Sequence, residues 1–289
     1  MKFLFLIATF YLSTAPLPSA AQEVGPPNGH LVIVGGAAQD SAIFETFIDL
    51  AGGVEASIVV IPTAGGGAEY AQDWGGLRPF RALGAHNLTV LHTTDRAEAN
   101  SDEFVEHLRN ADAVWFSGGR QWRLVDSYSD TATHDALWDL LARGGVIGGS
   151  SAGATIQGSY LARGDTRTNT VMMGDHQVGM GFLKNSAIDQ HLLARNRQFD
   201  LIEIVEAHPE LLGIGIDENT AIVVTGDQFE VIGQGYVAIY DAGRMIDSGG
   251  QFYFLSPGDR FDLVSRTGLT LQDDWVPIER VVERNWDEN

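Results

Sequence analysis

Short apolar runs alternate with stretches of helical spacing through the first half of the chain. Leu31-Val32-Ile33-Val34 runs into Gly35-Gly36, and Ser57-Ile58-Val59-Val60-Ile61 stops at Pro62. Residues 88–91, 113–116 and 144–149 repeat the pattern, while 43–50, 70–83, 101–109 and 123–143 carry helical periodicity. Apolar runs of four or five residues bounded by Gly or Pro suit strands buried on both faces, and helices between them make βαβ units. The expected fold is therefore α/β, a parallel sheet with helices on both faces. Asp102 and Asp112 stand where caps or turns are expected.

The pattern changes in the second half. One helix is expected over 197–207. The runs 221–224, 229–232, 236–240 and 252–255 then follow, with Gly and Asp turns between them. These predict antiparallel hairpins added to the sheet or its edge. There is no internal repeat and no low-complexity tract, so a single domain over 22–289 is expected.

Residues 1–21 read differently. Lys2 precedes a nearly unbroken apolar run over 3–12, and Leu17-Pro18-Ser19-Ala20-Ala21 ends in small residues. This is the pattern of a secretory signal peptide cleaved after Ala21. The run is shorter than the roughly 20 apolar residues a spanning helix needs. An uncleaved N-terminal anchor is the alternative. With cleavage, an exported protein, periplasmic or extracellular, without stable membrane association is expected. No cysteine is present, so neither a disulfide nor a lipid-anchored cysteine can form.

Against 18 basic residues stand 38 acidic ones, a net charge of −20. Removing the signal takes away only Lys2 and leaves −21. Such a surface repels phosphate backbones and argues against nucleic-acid partners. It is either a solvated acidic surface or a field that attracts a cationic substrate. Hydrophobic residues make up 44%, ordinary for a chain with a sizeable core.

The strongest chemical signal is Gly149-Ser150-Ser151-Ala152-Gly153, a G-x-S-x-G sequence between a predicted strand and a predicted helix. A nucleophile on so tight a turn needs small neighbours, and the turn aims backbone N–H groups at a developing oxyanion. Such a turn also binds phosphate or merely reverses the chain, and both readings stay open on the motif alone. Of eight histidines, His191 closes Ile188-Asp189-Gln190-His191 with polar groups beside it, suited to a general base or to a structural role. In Gly215-Ile216-Asp217-Glu218-Asn219, turn chemistry accounts for Asp217 and Asn219, whereas Glu218 has little use in a tight turn. Orienting an imidazole would give Glu218 a purpose. Finally, Ser117-Gly118-Gly119-Arg120-Gln121 follows a strand, and its glycines allow close approach of backbone N–H groups to a ligand.

These four segments, in this order from about residue 30 to 242, resemble the cyanophycinase family of serine peptidases, which includes aspartyl dipeptidases. The resemblance implies a class I glutamine amidotransferase-like, flavodoxin-like fold. It implies a Ser151–His191–Glu218 triad, an oxyanion hole from the Gly119 and Ala152 amides, and a substrate site lined by Gln121, Asp189, Gln190, Arg195 and Arg197. It implies no metal and no cofactor, and it allows a homodimer. The substrate implied is cyanophycin, an aspartate backbone bearing arginine side chains, or related aspartyl and β-aspartyl peptides. A dipeptidase on short aspartyl or isoaspartyl peptides and a non-catalytic binding protein on the same fold are the alternatives. Arg120 stands where that family often has an acidic residue. With Arg123, Arg195 and Arg197 it favours substrates bearing carboxylates, which arginine pairs in a bidentate fashion.

Overall fold

The computed structural model describes residues 23–243 and 250–269. The proposed signal peptide lies outside them, as does part of the expected single domain. In chain order the first elements are β1 (His30–Val34), α1 (Ser41–Leu50), β2 (Ile58–Ile61), α2 (Arg78–Ala82), β3 (Leu88–Val90), α3 (Arg96–Ala99) and α4 (Asp102–Arg109). There follow β4 (Ala113–Phe116), α5 (Gln121–Tyr128), α6 (Ala132–Ala142), β5 (Val146–Ser150) and α7 (Ala152–Thr155). The second half holds β6 (Gly158–Tyr160), β7 (Leu183–Gln190), α8 (Asp200–Ala207), β8 (Leu212–Ile216), β9 (Thr220–Thr225), β10 (Gln228–Gly233), β11 (Val237–Tyr240), β12 (Tyr253–Leu255), β13 (Arg260–Asp262) and β14 (Thr267–Leu269).

Among the described residues the strands form two sheets, ordered β14-β13-β10-β9-β1-β5-β4-β2-β3 and β12-β11-β8-β7-β6. The block β1-β5-β4-β2-β3 is parallel, as the apolar runs predict, and β9, β10, β13 and β14 extend it antiparallel beyond β1. The second sheet is a correction to the sequence reading. The expected strands β11 and β12 do not join the first sheet or its edge; β11 pairs with β12 and with β8, and β8 pairs with β7, whose partner β6 is parallel to it.

Alternate residues of a strand face opposite sides, and the core divides accordingly. Val32, Val34, Ile58 and Val60 pack with Ile43, Phe44 and Phe47 of α1 and Phe80 of α2. Leu31, Ile33, Val59 and Ile61 face α4, α5, α6 and the inner face of the second sheet, where Ile188, Ile214 and Ile239 sit. The helix α8 covers that sheet's other face through Leu201, Ile204 and Val205.

Two long helical predictions are shortened. The stretch 123–143 breaks into α5 and α6, because the Thr131 hydroxyl donates to the Tyr128 carbonyl at 2.6 Å and Asp130 takes φ 55°. A hydroxyl that captures a helix carbonyl offers the backbone an alternative to the next turn. In the stretch 70–83 only the short turn Gly75–Leu77 and α2 are helical. Gln72 instead spans the edge of β3, its amide nitrogen donating to the Val90 carbonyl at 2.8 Å and its oxygen accepting from Val90 N at 2.9 Å. That pairing covers part of an otherwise open strand edge. The α8 helix starts at Asp200, not Arg197, since Arg197 N donates back to Leu192 O in the preceding loop. Ser101, not Asp102, caps α4, and Asp112 accepts from Ser57 N at 2.8 Å.

Candidate active site

The turn between β5 and α7 is a single residue. Ser151 stands at φ 59°, ψ −110°, a conformation that costs a non-glycine residue on the order of 1–3 kcal/mol. The steric demand on its neighbours is met as the motif requires: a Cβ at Gly149 would lie 2.4 Å from Gly153 O, and one at Gly153 would lie 2.1 Å from Phe116 O. Ser151 N donates to Val34 O at 3.0 Å, which ties the bend to the end of β1.

His191 directly follows β7 and is 6% exposed. Its N–H donates to Gly35 O at 2.8 Å. The Ser151 Oγ and His191 Nε2 are 2.9 Å apart, and His191 Nδ1 lies 2.5 Å from Glu218 Oε1. A carboxylate can only accept, so Nδ1 carries the proton and donates, leaving Nε2 to accept from the serine hydroxyl. Burial lowers the His191 pKa below the ordinary imidazole value. Glu218 opposes that shift, and the positive charges of Arg195 and Arg197 reinforce it. The resting ring is a neutral base facing a hydroxyl.

The residues flanking Glu218 do more than turn the chain. Asp217 Oδ1 accepts from both Leu193 N and Ala194 N at 3.0 Å, which holds the loop after His191. The Asn219 side-chain oxygen accepts from Gln39 N and Asp40 N, and its own N–H donates to Gly36 O at 2.8 Å. Both were expected to serve local turn chemistry; Asn219 does take a left-handed turn conformation at φ 54°, and both side chains also clamp segments distant in sequence. Gly36 itself is a site residue that the sequence reading missed. It has φ 130°, and a Cβ there would lie 2.3 Å from His191 Cε1. The only sequence signal was the Gly35-Gly36 pair ending an apolar run.

The loop after β4 runs beside the serine, since a Cβ at Gly118 would lie 3.4 Å from that of Ser151. Neither the Gly119 amide nor the Ala152 amide has an acceptor within the described residues. Two backbone donors are thus available on this side of Ser151.

The expected substrate-site residues fall into two groups. Arg195 is half exposed, with Nε 4.0 Å from Glu218 Oε1. Arg197 Nη1 donates to the Gln190 side-chain oxygen at 2.8 Å and its carbonyl at 3.0 Å. Gln121, Asp189 and Gln190 are buried. Both oxygens of Asp189 accept from Arg163, at 2.8 and 3.1 Å, a partner the sequence reading did not single out. No cluster of three His, Asp or Glu side chains placed to hold a metal ion occurs among the described residues.

The sequence model of Peptidase family S51 matches residues 31–232. The chain is 34% identical over 222 residues to a cyanophycinase of Geminocystis herdmanii, covering 74% of this chain and 81% of that relative. To a cyanophycinase of a Nostoc species it is 32% identical over 266 residues, 82% of this chain and 87% of the relative. Among solved structures, a peptidase from an acI-B1 actinobacterium aligns with TM-score 0.59 at 24% identity, over 82% of this chain and 98% of that one. A putative peptidase E protein of Listeria monocytogenes aligns with TM-score 0.52 at 19% identity, over 72% and 99%. At these identities the two structures attest the shared fold.

Three outcomes are expected from the geometry, each read from the rate at which a fluorophosphonate labels Ser151. Gly36→Ala displaces the imidazole and slows labelling about a hundredfold, the effect of an ångström-scale misplacement. The pH–rate profile of the wild type rises through a midpoint below about 6.5, because only neutral His191 acts as base. Arg195→Gln removes a cation that disfavours the imidazolium, so the midpoint moves to higher pH; an unmoved or lowered midpoint would contradict the electrostatic account.

Proposed function

Because the chain belongs to peptidase family S51, we propose that it is an exported serine peptidase whose Ser151, His191 and Glu218 open aspartyl or β-aspartyl linkages, cyanophycin or its fragments being the leading substrate. The observation that carries this reading is the 2.9 Å approach of Ser151 Oγ to His191 Nε2 with Glu218 on the ring's other nitrogen. The cyanophycinases similar to this chain support the substrate class.

In this mechanism His191 Nε2 takes the Ser151 proton as Oγ attacks the scissile carbonyl. Glu218 stabilises the imidazolium and keeps the ring aimed. The Gly119 and Ala152 amides receive the negative charge on the carbonyl oxygen, the largest single contribution in such sites. The imidazolium then protonates the leaving amine. Water, deprotonated by the same ring, releases the acyl group from Ser151. Each of these steps is carried by side chains and backbone of this chain.

Export rests on the apolar run of residues 3–12 and the small residues before position 22. A single domain over 22–289 remains part of the same reading.

Ser151→Ala is expected to lower kcat by about 10⁴-fold or more, and Glu218→Gln by about 10³–10⁴-fold, with folding retained. Release of dipeptide by mass spectrometry from cyanophycin, β-Asp-Arg and Asp-X peptides separates polymer hydrolysis from dipeptidase action; full activity of Ser151→Ala would sink the triad. The intact mass of protein recovered from periplasm or medium is expected to begin at Gln22, and a mass that includes residues 1–21 would refute cleavage.

A further inference from the structure

An open cavity of about 770 Å³ lies beyond the carboxyl end of β3, walled by the loop after β2, the loop after β3 and the start of α4. None of its lining residues belongs to the Ser151 site. Topology opens it. Strands β2 and β3 are parallel neighbours, but their connections leave on opposite faces of the sheet. The chain after β2 runs to α2, whose Phe80 packs with Ile58 and Val60. The chain after β3 runs to α4, whose Phe104 and Leu108 pack with Val59 and Ile61. Neighbouring strands whose connections diverge in this way leave a crevice beyond their carboxyl ends, where open α/β sheets bind ligands. The volume falls within the roughly 300–1,000 Å³ of ligand-sized sites.

The walls carry one sign of charge. Glu69, Asp95, Glu98 and Glu103 line the cavity, and no described lysine or arginine does. Asp95 caps α3 by accepting from Ala97 N at 2.8 Å, and Glu98 accepts from the Thr93 hydroxyl at 2.6 Å. Glu69 and Glu103 are exposed and have no hydrogen bond or ion pair among the described residues. A metal ion is the wrong occupant, because no three described His, Asp or Glu side chains stand close enough to hold one. Carboxylates spread around a space suit an organic cation with several N–H donors. Tyr70 adds an aromatic wall, its ring held between the rings of His92 at 4.9 Å and Trp74 at 5.4 Å. A guanidinium matches both features, since it presents five donors in a planar fork and stacks on aromatic faces. The cavity also lies close to the catalytic loop. His92 Nδ1 is 2.8 Å from the Thr63 hydroxyl oxygen, and the neighbouring Ala64 O accepts from Arg120 N at 2.8 Å. Strand β4, which carries the Gly119 loop, is two places from β3 in the sheet, about 10 Å at ordinary strand spacing.

We propose that this cavity is an accessory binding site for guanidinium side chains of a peptide substrate, separate from the bond that is cut. One guanidinium engages Glu69, Glu103 and Tyr70 while another part of the same chain reaches Ser151. Its use toward a polymer rests on the reading of cyanophycin or its fragments as the substrate. Holding one chain at two places makes the second encounter intramolecular and raises its effective concentration without a new contact at Ser151. A dipeptide reaches only one of the two sites and gains nothing.

The test uses the full mature chain and measures Kd by calorimetry for N-acetyl-arginine amide and for N-acetyl-citrulline amide, its uncharged isostere. The arginine compound is expected to bind about tenfold more tightly, the weight of a charge-assisted hydrogen bond. Glu69→Gln with Glu103→Gln, both at exposed and unpartnered positions, is expected to weaken its binding about tenfold. Glu45→Gln with Asp49→Asn, on the exposed side of α1, removes the same charge and is expected to keep Kd within about twofold, because distant surface charges are screened. Equal affinity for the two amides would overturn the proposal. So would equal weakening by the two double variants, which would reduce the effect to general attraction by an acidic surface. With cyanophycin fragments of several repeats, Glu69→Gln with Glu103→Gln is expected to raise KM about tenfold with kcat within about twofold; an unchanged KM would refute the accessory role. Calorimetry breaks no bond, so a chain that binds the arginine amide in this way but cleaves no aspartyl linkage would refute the proposed reaction and support the cavity as a guanidinium site.

Discussion

Three consecutive backbone carbonyls at the carboxyl end of β1 hold the site together. Val34 O, Gly35 O and Gly36 O accept in turn from the amides of Ser151, His191 and Asn219. The three acceptors succeed one another along the chain, so the serine bend, the histidine and the acid-bearing turn are set in register by a single segment. All three donating residues have positive φ, 59°, 56° and 54°. Each conformation would be disfavoured in isolation and persists because the surroundings over-determine it. Since the links are backbone to backbone, the side chains of Ser151 and His191 remain free for chemistry.

The position of β1 explains why it can serve as the jig. It is flanked by parallel β5 on one side and antiparallel β9 on the other, with Val34 level with both Ser150 and Ala221. The chain leaves β5 and enters β9 at the same height. The second sheet supplies the rest, because β7 and β8 are parallel and end together at Gln190 and Ile216. The carboxyl ends of β1, β4, β5, β7 and β8 thus converge, which is where open α/β sheets place their ligand sites.

On a chain of net charge −20, the charges acting on His191 are mixed: Glu218 favours its protonation, and Arg195 and Arg197 oppose it. Burial and the two arginines keep the imidazole neutral at rest, while Glu218 is placed to stabilise it once it is charged. The Arg163–Asp189 and Arg197–Gln190 contacts close the floor. A deeply buried carboxylate tolerates its position only when paired in this way.

Local pattern alone was enough for much of this. Apolar runs of four or five residues bounded by Gly or Pro suit strands buried on both faces, and G-x-S-x-G identified the bend because its steric requirement is contained in five neighbouring residues. Glu218 stood out for the same reason, as an acid with no local purpose. What local pattern cannot carry is partnership across the chain. The long helices 70–83 and 123–143 were cut short by Gln72 reaching β3 and by the Thr131 hydroxyl taking a helix carbonyl. The separation of β11 and β12 from the first sheet depended on the pairing of β11 with β8 and of β8 with β7, whose register no hydrophobic count reveals. Gly36 owes its necessity to an imidazole 155 positions later, Asp217 and Asn219 hold loops far from their own turn, and Asp189 is buried only because Arg163 arrives beside it. Residue type and spacing determined which groups could react; three-dimensional closure decided which of them meet, since a hydrogen bond between distant residues leaves no periodic trace in sequence.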